Sequence, residues 1–103
     1  MNPASDATER GGRPPAAFIA RIGGRVQGVG FRFFAVREGH RLGLGGTVRN
    51  LADGRVEIYA AGPRPELERL LARLEQGPRM GRVDWIDVDW EAPVRPVSDF
   101  TIG

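Results

Sequence analysis

Thr47-Val48-Arg49-Asn50-Leu51-Ala52-Asp53-Gly54-Arg55-Val56-Glu57-Ile58-Tyr59-Ala60 reads as two short strands joined by a turn. Thr47–Leu51 and Arg55–Ala60 are rich in β-branched and alternating residues, and the Asp53-Gly54 pair between them supplies the positive φ angles a hairpin needs. On the N-terminal side of this hairpin, Phe31, Phe34, Ala35 and Leu42 share one face of a helix of about three turns, ended by Gly43 and Gly45-Gly46. On its C-terminal side, Gly62-Pro63-Arg64-Pro65 opens a second helix in which Leu67, Leu70, Leu71 and Leu74 recur at helical spacing, and Gly77-Pro78 stops it.

Further out lie a strand at Phe18–Ile22 and a strand from Val83 to Trp90, whose Ile86, Val88 and Trp90 alternate with Asp87 and Asp89. Phe100-Thr101-Ile102 adds a short edge strand. The order is strand, helix, hairpin, helix, strand, a split βαβ pattern. It predicts an α+β fold: a ferredoxin-like α/β sandwich, βαββαβ, with a mostly antiparallel sheet covered on one face by two helices. Residues 1–15 are rich in proline, glycine and balanced charge and lack large apolar side chains, so they are expected to form a flexible tail before a domain at 16–103.

Composition narrows the chemistry. The chain has 103 residues, 41% of them hydrophobic, enough for one small core and too few for two domains. Cysteine is absent, which removes thiolate nucleophiles, disulfides and thiolate metal sites and points to a reducing, cytoplasmic setting. All 15 basic residues are arginine, so Schiff-base lysines and the lysine of a Walker phosphate loop are excluded as well. Against 13 acids they leave a net charge of only +2, and no nucleic-acid partner is expected despite the high pI. No apolar run is long enough to span a membrane. The single histidine, His40, is read as an exposed residue near the last carbonyls of the first helix rather than a base. Asp87, Asp89 and Glu91 are read as a solvated strand edge, not a cation site.

Between the first strand and first helix runs Gly24-Arg25-Val26-Gln27-Gly28-Val29-Gly30-Phe31-Arg32. A glycine-rich loop feeding a helix N-terminus gathers backbone N–H groups where the helix dipole is positive, which suits a phosphate. Arg32, in the first helical turn, is unfavourable for the dipole but able to fork onto an oxyanion. Asn50, at the end of the first hairpin strand, shares a face with Val48. It has two readings: a turn residue satisfying its own backbone, or an amide that orients a water.

The whole string, continued by Leu42-Gly43-Leu44, Gly46, Val48-Arg49-Asn50, Asp53-Gly54 and Val56-Glu57, resembles the acylphosphatase family from about Phe18 to Ile102. The resemblance implies hydrolysis of the carboxyl-phosphate bond of a small acyl phosphate, without metal or cofactor. It further implies that Arg32 binds the phosphate together with the loop at Arg25, Val26, Gln27, Gly28 and Val29, and that Asn50 orients the attacking water. Thr47 departs from the aromatic residue often found there. A non-catalytic phosphate-binding module on the same scaffold is the alternative, and a monomer is the expected state.

Overall fold

The structure is a computed structural model that describes residues 14–103. The expected tail lies outside the described residues apart from Pro14 and Pro15, which are exposed and irregular. Seven elements follow: β1 (Ala16–Arg25), α1 (Phe31–Arg41), β2 (Gly45–Asn50), β3 (Val56–Gly62), α2 (Arg64–Gln76), β4 (Arg82–Asp89) and β5 (Phe100–Ile102). The strands make one sheet in the order β4-β1-β3-β2-β5, antiparallel except where β5 runs parallel to β2. This is the ferredoxin-like arrangement read from the sequence, with the edge strand added.

Alternation along β1, β3 and β2 sends Phe18, Ala20, Ile22, Val56, Ile58, Ala60 and Val48 to one face, where they are buried against Phe31, Phe34 and Ala35 of α1 and Leu67, Leu70 and Leu74 of α2. Burial of apolar side chains between the two layers is the main stabilising term. On the opposite face, Ala17, Tyr59 and Ala61 pack with Ala92 under the segment between β4 and β5. Tyr59 fastens that segment: its hydroxyl donates to the Pro93 carbonyl at 2.9 Å and accepts from the Arg95 amide at 2.7 Å.

Three local expectations are corrected. β1 does not stop at Gly23-Gly24 but runs to Arg25, because both glycines are absorbed into pairing with β4 across a register shift. In the hairpin only Gly54 has a positive φ, at 96°, and Asp53 does not. The turn is a wider loop, closed by Leu51 N–H to Arg55 O at 2.8 Å and Gly54 N–H to Leu51 O at 3.2 Å. His40 does not serve the last helical carbonyls; its Nε2 lies 2.9 Å from the Phe100 carbonyl and 3.0 Å from Asp99 Oδ1, tying α1 to β5. Glu38, on which the sequence offered no reading, is 2% exposed and meets Arg41 and Arg73 at 3.3 and 3.2 Å, linking the helices.

Candidate active site

The loop begins where β1 ends. Arg25 is the last strand residue, opposite Arg82, and its side chain is exposed. Val26 turns inward and is 1% exposed, so a core side chain anchors the loop at its first residue. Gly28 and Gly30 adopt φ of 73° and 81°, the left-handed region where other residues are strained. A side chain added at either would meet nothing within 4 Å, so backbone conformation rather than crowding demands glycine there.

Gly30 is also the N-cap of α1, with no side-chain cap and no acid in the first turn. The helix therefore starts without an internal partner for its dipole or for its first N–H groups, which is the electrostatic condition for holding an anion. Arg32 lies in that turn, exposed, and no carboxylate among the described residues pairs with it.

Gln27 supplies what the sequence did not reveal. Its Nε2 donates to the Leu51 carbonyl at 2.8 Å and to the Arg55 carbonyl at 2.9 Å, bolting the loop to the hairpin turn. The partners lie 24 and 28 residues away, a distance at which no spacing rule operates. The residue covalently preceding Leu51 is Asn50, the last residue of β2. Asn50 pairs with Val56, which pairs with Ile22 of β1, so one row across three strands sets Asn50 level with Ile22, three residues before β1 ends and gives way to the loop. Its face is that of the fully buried Val48, but at the strand end the helical cover has stopped and Asn50 is exposed. Thr47 points to the other face of the sheet, opposite Tyr59.

The hairpin turn is stiffened by charge. Asp53 Oδ1 accepts the Arg55 amide at 3.1 Å, and that hydrogen bond holds the carboxyl below the usual carboxylate range. Arg49 and Arg21 both pair with Glu57, leaving neither directed at the loop. Among the described residues no three His, Asp or Glu side chains converge where a metal ion could sit, and no helix is long and apolar enough to cross a membrane. The arrangement offers oriented N–H groups, the Arg32 guanidinium and the Asn50 amide around an open surface, and the acid of the adjoining turn, Asp53, is engaged by Arg55 at 2.8 Å.

Comparison with known proteins places these residues in context. The family model for acylphosphatase matches residues 18–102. The chain is 54% identical over 83 residues to an acylphosphatase of Salinibacter ruber, covering 81% of this chain and 87% of that one. To an acylphosphatase of Koribacter versatilis it is 51% identical over 81 residues, 79% of this chain and 74% of the other. Its fold superposes on the crystal structure of acylphosphatase from Bacillus subtilis with a TM-score of 0.82 at 36% identity, over 84% of this chain and 97% of that one.

Proposed function

This chain belongs to the acylphosphatase family and is an enzyme that hydrolyses small acyl phosphates, and on that premise we propose that Arg32 and the loop amides bind the phosphoryl group while Asn50 directs the water. The water oxygen attacks phosphorus as the bond from phosphorus to the carboxyl oxygen breaks. The carboxylate leaves with the bonding pair, and the water's proton passes to solvent. The products are a carboxylate and inorganic phosphate. A carboxylate is a weakly basic leaving group, so orientation and charge stabilisation carry the barrier reduction and no strong base is required.

In a loose phosphoryl-transfer transition state the charge spreads over the equatorial oxygens. The backbone N–H groups from Arg25 to Val29 and the Arg32 guanidinium are donors for that charge, held in place before the reaction. The amide of Asn50 can accept from and donate to one water, which fixes its direction without moving a proton. What supports this reading most directly is the Gln27 clamp, which makes the phosphate loop and the Asn50 strand end one rigid piece. The proposal extends to a metal-independent, cytoplasmic monomer without a nucleic-acid partner, a reading supported by the net charge of +2 and the lack of cysteine.

The test compares wild type, Asn50→Ala and Arg32→Ala on an aromatic acyl phosphate in chelator-containing buffer, following phosphate release and, separately, phosphate affinity. Wild type turns the substrate over. Asn50→Ala loses about a hundredfold in kcat, the order expected when a reacting group is misplaced, with phosphate affinity retained. Arg32→Ala weakens both. Equal losses of affinity in the two variants contradict this division of labour, and a folded wild type that binds phosphate without releasing it from substrate is a binding module instead.

A further inference from the structure

Two structures flank the phosphate loop, on opposite sides by strand order. Toward β3 lies the hairpin turn, fastened through Gln27 and carrying Asn50. Toward β4 lies the turn at 78–81, closed by Gly81 N–H to Pro78 O at 3.0 Å. It presses on the loop so closely that a methyl at Gly81 would sit 3.1 Å from the Arg25 carbonyl oxygen and 3.2 Å from Val29 Cγ2.

On this second flank a cavity of about 480 Å³ opens from Gly30, the helix N-cap, and is lined by Phe33, Phe34, Arg37, Pro78 and Arg79. Phe33 is 74% exposed, one residue beyond Arg32, where nothing in the core uses its ring. Arg37 stands over the Phe34 ring and also meets Glu38 at 3.5 Å. Arg79 is exposed, and no carboxylate among the described residues pairs with it.

Phosphoryl transfer places the attacking and leaving oxygens roughly in line. If water arrives from the Asn50 side, the acyl group departs toward the other, and by strand order the cavity lies on that flank of the loop. We propose that this cavity is the acyl-group subsite and that it selects acyl phosphates with a ring or short apolar body ending in a second anionic group. The inference rests on the assignment of Asn50 as the water-orienting residue. Phe33 and Pro78 supply the apolar wall for the body. Arg79, with Arg37 lining the same cavity, supplies the positive charge for the far end, the part of such a substrate that extends beyond the phosphate and the ring.

The experiment measures kcat/KM for acetyl phosphate, benzoyl phosphate and 4-carboxybenzoyl phosphate with wild type, Phe33→Ala and Arg79→Gln. Both side chains are exposed, and thermal melts establish that the variants fold. Phe33→Ala lowers the benzoyl-to-acetyl ratio, and Arg79→Gln lowers the carboxybenzoyl-to-benzoyl ratio, each by about threefold or more, carried by KM. The Arg79 effect shrinks at high salt, as an exposed charge contact must. Either ratio staying within about threefold of wild type in its variant overturns the subsite, a smaller effect being too weak to select one acyl group over another. Misassignment of Arg32 or Asn50 reports itself separately, through their own variants on acetyl phosphate, which carries neither a ring nor a second charge.

Discussion

Gln27 holds its loop through one nitrogen, with both hydrogens used on carbonyls of the hairpin turn. Each of those carbonyls also accepts a backbone N–H, Leu51 O from Gly54 and Arg55 O from Leu51, so neither is orphaned when the glutamine goes. Gln27→Leu therefore costs about 1–2 kcal/mol, two ordinary hydrogen bonds without a stranded polar group. A second effect is expected on the reaction proposed for the site. With the loop released from the turn, Asn50 and the phosphate lose their common frame, and kcat falls about tenfold, less than removal of the amide itself. Thermal melts and steady-state kinetics on the same preparation separate the two effects; a lowered Tm with unchanged kcat would make the clamp structural only.

At the scale of the element, α1 shows two rules in competition. Glycine at position 39 costs the helix about 1 kcal/mol relative to alanine, which predicts a frayed last turn. The turn is instead intact to Arg41, and Gly39 is buried. An alanine Cβ there would sit 2.4 Å from Cδ2 of Phe100, so the missing side chain is what lets β5 lay its one buried residue against the helix. Overpacking of this kind costs about 1–3 kcal/mol, more than propensity returns. Gly39→Ala is thus expected to lower the urea midpoint of unfolding although alanine is the better helix former. A raised midpoint would mean that β5 moves aside at no cost.

At the scale of the molecule, the sheet is covered on both faces but by different means. The helices bury one face with large side chains, whereas on the other Ala17, Tyr59 and Ala61 meet Ala92 of an irregular segment, with Ile19 and Val97 half-buried against them. That segment depends on polar ties, with the Tyr59 hydroxyl joining Pro93 and Arg95 and the Arg95 guanidinium 4.8 Å from the centre of the Tyr59 ring. Tyr59→Phe keeps the ring and strips the tie, leaving a carbonyl and an amide to find water. The expected cost is about 1–2 kcal/mol, a fall in Tm of several degrees for a chain of this size. Because the segment lies on the face away from the loop, kcat is expected to hold; a parallel fall in kcat would show the two faces to be coupled.

Much of this architecture was written locally. The leucine spacing of α2, the alternation in β2 and β3 and the glycines that end the helices are short-range signals, and they determined the element order and thereby the fold class. The loop from Gly24 to Arg32 and the position of Asn50 were legible for the same reason, since a motif is a run of neighbours. What the chain could not state by itself were contacts across its length. Gln27 finding the hairpin, Gly39 receiving Phe100, Glu38 buried between arginines of two helices, and a cavity walled by α1 and the turn before β4 all join residues brought together only when the sheet assembles. Periodicity reports which face a residue takes. Which partner waits on that face is decided by strand order and helix packing, so the loop motif was readable in one dimension and its alignment was not.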